Sequence, residues 1–393
     1  MKIALFSNTY APALNGVANV THFYRLGLAD RGHDVHVFAP EACGDDPFAD
    51  DPAVHRYAAF RCPGEVDYMI AWPAVFSPRV AAEIAAIGFD LVHTQHPVWV
   101  GRWGQQIARR RGIPVVSTAH SQYEVYANRT PLPTEWIEPA VTAHVVRYFN
   151  GCHVVTTPVE WMRRRLVGTG VSSPVEIVPN PVDLTKLGEP HRERTREALG
   201  LRDGDVAVGY LGRLSPVKRV PILIDTVALL AKHRPEARLV VAGGGGIAGA
   251  LKERARRVLG DRAIFTGAIP HEDVAHYHAA FDVFVTASKS ETQPLAYTEA
   301  MYVGTPVVAL ATPGAADMIV DGDNGLLVPP DEGAAGLAAG LAAAVERVLT
   351  EPGLADRLRE GGRHFALDRH YTRVAERLEE VYALAADRCA SGW

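Results

Sequence analysis

Residues 206–218 read Val206-Ala207-Val208-Gly209-Tyr210-Leu211-Gly212-Arg213-Leu214-Ser215-Pro216-Val217-Lys218. Uncharged, β-prone residues from Val206 to Leu211 predict a strand buried on both faces, which a parallel sheet covered by helices demands. Gly212 ends that strand, and two cations five residues apart, Arg213 and Lys218, occupy the turn behind it. Open α/β sheets take their ligands beyond the carboxyl ends of strands. There an arginine can fork across two phosphate oxygens, and a lysine adds a mobile point charge. Alone, the pair is equally a solvated surface loop, so the reading needs a second motif.

Working outward toward the C-terminus, the alternation continues. A helix is predicted over Val220 to His233, a strand over Leu239 to Ala242, a helix near Leu251 to Leu259, and strands at Ile264 and at Val283 to Thr286. The last strand leads into Ser290-Glu291-Thr292-Gln293-Pro294-Leu295-Ala296-Tyr297-Thr298-Glu299. Pro294 suits the first position of a helix whose opening N–H groups would form a second anion cradle. Glu291 would stand just before that helix, beside the reacting end of a ligand. Glu299, two turns further on, could accept hydrogen bonds from a ribose. A glutamate pair at this spacing is more often plain helix surface, but with Arg213 and Lys218 it makes a phosphate site flanked by carboxylates.

Toward the N-terminus the same pattern appears a second time. Strands are predicted at Lys2 to Phe6, Asp34 to Phe38, Leu91 to His93, Val115 to Thr118, Val154 to Thr157 and Glu176 to Val178. Val17, Val20, Phe23, Tyr24 and Leu28 recur at helical spacing until Gly32, with Asn15-Gly16 at the turn before them. The pattern breaks between Pro179 and Asp205, so 393 residues divide into two α/β domains, 1–185 and 186–370. A last helix, Tyr371 to Ala386, carries Val374, Leu378, Val381, Tyr382 and Leu384 on one side and must pack on something.

The Gly-Arg-Leu-x-x-x-Lys run from Gly212, the Glu-x7-Glu run from Glu291 to Glu299, and the turn Asp321-Gly322-Asp323-Asn324-Gly325-Leu326-Leu327-Val328 together resemble family-4 retaining glycosyltransferases. The resemblance implies the GT-B fold: two Rossmann-like domains facing a central cleft, the C-terminal one holding the nucleotide sugar. The acceptor falls mainly to the N-terminal domain, and helix 371–393 crosses back to it. Carried over position by position, Arg213 and Lys218 bind the donor diphosphate, with Gly16, Gln293 and Leu295 beside it. Glu299 binds the ribose, and Gly267 and Ile269 lie by the base. Glu291 and His120 contact the donor sugar and count as catalytic, while Asn15, His96 and Tyr123 fall on the acceptor side. Pro294 departs from the pattern, since members usually carry glycine there and proline has no N–H to offer.

The implied reaction moves a hexose from a UDP- or GDP-linked donor to a hydroxyl acceptor, a lipid or lipid-linked sugar, with retention of configuration. Its charge stabilisation comes from Arg213, Lys218 and a helix N-terminus rather than from a metal. The nucleotide sugar is a co-substrate, and no cofactor is expected. The alternatives are a GT-B-fold epimerase or hydrolase, or transfer to a soluble small molecule.

Several lookalikes lose on chemistry. Gly244-x-Gly246-x-x-Gly249 fits the dinucleotide fingerprint but follows the wrong strand and lacks the acidic residue at the end of the next, so it is read as a loop that lets the donor nucleotide pass close to backbone. Asp321, Asp323 and Glu332 mimic a calcium loop, yet Leu326 stands where that loop needs glycine. His93-Thr94-Gln95-His96 reads as hydrogen-bonded polar groups at a strand end rather than a metal pair. Trp99, Arg102, Trp103, Arg109, Arg110 and Arg111 could lay a basic aromatic face on anionic lipid, although a solvated helix with packed tryptophans explains them as well. A net charge of −5 leaves no footprint for nucleic acid. Residues 1–180 carry 15 Lys plus Arg against 16 Asp plus Glu. The four cysteines show no C-x-x-C pairing, and nothing resembles a signal peptide or an apolar span, so a cytoplasmic protein is expected, with association at the inner face of the membrane left open.

Overall fold

The computed structural model describes residues 1–392 except 14, 43–44, 62–68, 72–77, 121–133, 290, 292 and 331–332. The chain forms two compact units, Met1–Pro181 with Tyr371–Trp393, and Val182–His370. The first division therefore falls four residues before the boundary read from the sequence.

In chain order the first unit contains β1 (Lys2–Phe6), α1 (Gly16–Asp30), β2 (Asp34–Pro40), β3 (Val54–Tyr57), β4 (Ala59–Arg61), β5 (Met69–Ala71), α2 (Pro78–Ala86), β6 (Leu91–Thr94), α3 (Val100–Arg111), β7 (Val115–Thr118), α4 (Thr134–Phe149), β8 (Val154–Thr157), α5 (Glu160–Gly168) and β9 (Val175–Ile177). Among the described residues its main sheet is parallel, in the order β3-β2-β1-β6-β7-β8-β9, with β4 and β5 paired as a separate antiparallel ribbon. The central strands are buried because both faces are covered, as in β1, where Ile3, Ala4, Leu5 and Phe6 are all fully buried.

The second unit contains α6 (Arg192–Ala198), β10 (Val206–Leu211), α7 (Val220–Leu230), β11 (Ala237–Ala242), α8 (Ala248–Leu259), β12 (Ala263–Gly267), α9 (Val274–Ala280), β13 (Val283–Thr286), α10 (Leu295–Tyr302), β14 (Val307–Leu310), α11 (Pro313–Ala316), β15 (Leu326–Val328), α12 (Ala334–Thr350) and α13 (Leu354–Leu367). Its parallel sheet runs β12-β11-β10-β13-β14-β15. This is the doubly wound order, in which the chain reverses its direction of travel beside the first strand. Val208 registers with Leu239 on one side and Val283 on the other, which puts β10 at the centre.

The closing helix α14 (Tyr371–Ala390) belongs to the first unit. Val374, Leu378, Val381 and Tyr382 are buried in one cluster with Val20, Tyr24 and Leu28 of α1. Each such side chain contributes roughly 1.5–3 kcal/mol by leaving water. Tyr382 also gives the helix a polar anchor, since its hydroxyl lies 2.8 Å from His93 Nδ1.

Candidate functional site

In the second unit the sheet order settles where the chemistry gathers. The chain reverses between β10 and β13, and that is where an open α/β sheet leaves a crevice at its carboxyl edge. The two loops that leave these strands carry Arg213 and Lys218 on one side and Glu291 on the other. A backbone bond from Lys289 N to Val217 O, 3.3 Å, ties them together. Lys218 Nζ is paired with Glu291 Oε1, both side chains largely withdrawn from solvent. Arg213 is exposed, and its guanidinium has no acidic partner among the described residues. An unneutralised arginine beside a lysine that can be recruited from its carboxylate has the charge and donors to take up a multiply charged anion.

Neighbouring loops hold this arrangement rigid. Gly212 N donates to Ala242 O at 2.9 Å, Leu214 N to Gly244 O at 2.8 Å, and Gly243 N to Gly267 O at 2.8 Å, stitching the ends of β10, β11 and β12 together. Tyr210 donates from its hydroxyl to Arg213 O at 3.1 Å. Burial raises the Tyr210 and Tyr297 hydroxyls far above the ordinary tyrosine range, and the Glu291 charge raises them further. Two neutral phenols thus flank the carboxylate. Sequence reasoning missed both, because each reads as an apolar core position.

The glycine loop after β11 also meets the loop after β10 at close range. A Cβ on Gly243 would lie 1.9 Å from Gly212 O, and one on Gly245 would lie 2.1 Å from Leu214 O. Gly243 and Gly245 thus let two protein loops touch, while Gly246 and Gly249 of the fingerprint have open space beside them. Pro294 also differs from expectation. Its φ of −72° suits a first helical position, but ψ is 121°, so the chain is still extended there and α10 begins at Leu295. Leu295 therefore carries the first amide of the helix, one of those without an intrahelical acceptor. Gln293 is buried just before the cap. Glu299 lies deeper in α10, 7% exposed, with Oε2 3.9 Å from Nε2 of the fully buried His278. Gly267 ends β12, and Ile269 beyond it is partly buried against the core.

The turn at Asp321 is closed by its own bonds. Asp321 Oδ1 accepts from Leu327 N at 2.8 Å, and Asn324 Oδ1 accepts from Val320 N at 2.8 Å.

The first unit places Gln95, His96 and His120 at the carboxyl edge of its own reversal point, between β1 and β6 and beside β7. His120 Nε2 lies 2.7 Å from Gln95 Oε1. Burial holds His120 down to about 3, so the imidazole is neutral at ordinary pH. His93 sits deeper, bonded to Tyr382 and to Thr118 Oγ1 at 2.7 Å, and is a core residue. Gly16 opens α1, whereas Asn15 is its cap: Asn15 Oδ1 accepts from Ala18 N at 3.0 Å and its amide donates to Thr9 Oγ1 at 2.6 Å. That role competes with the acceptor-side contact expected of Asn15. Tyr123 lies outside the described residues.

The basic aromatic face is smaller than the sequence suggested. Trp103 packs edge-on against Phe6, ring centroids 5.8 Å apart, and Arg111 donates to the carbonyls of Ile84 and Ile87 at the end of α2. Trp99 remains 47% exposed, and Arg102, Arg109 and Arg110 face solvent. No described helix is long and apolar enough to cross a membrane.

Comparison with known proteins agrees with this geometry. Residues 14–186 match the model for glycosyltransferase family 4, and residues 191–365 that for glycosyl transferases group 1. The chain is 33% identical to the alpha-monoglucosyldiacylglycerol synthase of Streptococcus pneumoniae, over 82% of this chain and 74% of the relative. It is 29% identical, over 93% of each chain, to a GDP-mannose-dependent alpha-(1-6)-phosphatidylinositol monomannoside mannosyltransferase of Mycolicibacterium smegmatis. Among solved structures it is similar to the Anabaena protein HepE in complex with UDP, with a TM-score of 0.75, 20% identity, and coverage of 98% of this chain and 100% of that one. The two family models, a relative 33% identical over most of both chains, and a doubly wound sheet in each unit lead to one conclusion: the chain belongs to the family-4 glycosyltransferases of GT-B fold, enzymes that transfer a sugar from a nucleotide donor.

Proposed function

We propose that this enzyme transfers a hexose from a UDP- or GDP-linked donor to a lipid or lipid-linked hydroxyl, with retention of configuration and without a metal. The observation that carries the reading is the pairing of Lys218 with Glu291 at the reversal point of the second sheet, with Arg213 open beside it. Arg213, Lys218 and the first amides of α10 would take up the charge that grows on the leaving diphosphate. As Lys218 turns to phosphate, Glu291 is released toward the sugar, where its carboxylate favours the positive character of the anomeric carbon. Glu299 would accept from the ribose hydroxyls, and the neutral His120 would hydrogen-bond the donor sugar. The acceptor assignment draws on relatives named for diacylglycerol and phosphatidylinositol substrates, and on the exposed group Trp99, Arg102, Arg109 and Arg110, which suits an anionic lipid surface.

The deciding experiment is a thermal-shift screen of UDP, GDP and their common sugars. It is followed by transfer assays in vesicles containing diacylglycerol or phosphatidylinositol, with the anomeric configuration of the product read by NMR. An α-linked lipid glycoside formed in chelator supports the reading. An inverted product, or dependence on added divalent metal, would overturn it.

A further inference from the structure

Gln95 is fully buried at the end of β6, and its backbone N–H donates to Phe6 O at 2.8 Å, so its side chain projects from a fixed point. The carboxamide oxygen lies 2.7 Å from His120 Nε2. A carboxamide oxygen only accepts, so Nε2 must carry the hydrogen, and in a neutral ring the lone pair is then left on Nδ1. Around this pair, the buried Gln95 Nε2 and His96 Nδ1 have no hydrogen-bond partner among the described residues. Buried polar atoms are rarely left so, which marks this edge as one completed by a polar ligand.

The geometry points to Gln95 as a positioning residue that holds His120 in its Nε2–H form, so that Nδ1 accepts a hydrogen bond from a hydroxyl of the bound sugar. This rests on the assignment of His120 to the donor sugar. It also narrows the substrate: a hydroxyl can donate to Nδ1, whereas a carboxylate there would set two lone pairs against each other. The site therefore takes a neutral hexose rather than a hexuronate. The opposite orientation of the amide would turn Nδ1 into a donor, and the two arrangements can be told apart.

The test uses the full chain labelled with 15N-histidine, with the His120 signals assigned by their loss in His120→Asn. Between pH 6 and 8 the parent should show His120 protonated at Nε2 and bare at Nδ1; a hydrogen on Nδ1, or a mixture of both forms, overturns the proposal. Gln95→Leu should lose the single tautomer and lower kcat roughly tenfold, about the worth of one orienting hydrogen bond. Gln95→Glu, which still accepts from Nε2, should restore the tautomer. A Gln95→Leu protein that melts earlier yet keeps kcat and the tautomer would make the residue merely structural. His120→Asn with parental turnover would instead remove the sugar assignment itself, a failure distinct from that of the Gln95 step.

Discussion

At the residue scale the donor site separates binding from chemistry. Lys218 is paired with Glu291 and, in the proposed reaction, turns to the diphosphate, so Lys218→Ala should weaken the affinity for nucleoside diphosphate and also slow turnover. Loss of one electrostatic contact of this kind costs about 3 kcal/mol, roughly two orders of magnitude in kcat. Glu291→Gln keeps the shape and removes the charge. Its diphosphate affinity, measured by calorimetric titration, should stay close to the parent while kcat falls by a similar factor; an unchanged kcat would take Glu291 out of the reaction. Glu299→Gln should act on the other end of the nucleotide, weakening UDP or GDP but hardly affecting an analogue without ribose hydroxyls. The same titration with the analogue checks it.

At the scale of elements, the site depends on loops that touch through glycine. Gly243→Ala would drive a methyl group into Gly212 O, so the loops after β10 and β11 must part. Overpacking of this kind costs about 1–3 kcal/mol, visible as a lower melting temperature. Because the same loop carries Arg213, diphosphate binding should weaken as well. A variant that melts like the parent and binds normally would show that the loops are not coupled. Much at this scale was legible beforehand. The apolar runs of β1, β10 and β13 announced buried parallel strands, and the spacing of Val374, Leu378 and Val381 announced a helix with a packed face. The role of Gly243 was not legible, because a glycine needed for contact between two loops looks the same in sequence as one that admits a ligand. Pro294 was one position off for a related reason: proline's φ fits both a cap and a first helical turn, and only ψ separates them.

At the scale of the whole molecule, stability should depend on pH through buried histidines. Burial brings His93 and His120 to about 3 and holds His96 well below its ordinary value of 6.5. The unfolded chain binds protons at these positions below about 6.5 and the folded chain does not, so stability is greatest above that pH and falls as the pH drops toward 3. Each histidine contributes a loss of up to about 1.4 kcal/mol per pH unit. Urea unfolding at pH 7.5, 6 and 5 should show the decline, and His93→Gln should flatten it. The same scale separates two kinds of information. The run from Val206 to Lys218, the spacing of Glu291 and Glu299, and the alternation of strand and helix were local patterns, and they determined the α/β class, the doubled architecture and the candidate phosphate site. Sheet order is non-local: only the tertiary structure put β13 beside β10, and so brought Glu291 onto Lys218 across 73 residues of chain. It alone decided that Trp103 and Arg111 turn inward and that Gln95 reaches His120, since each depends on a partner far away in sequence.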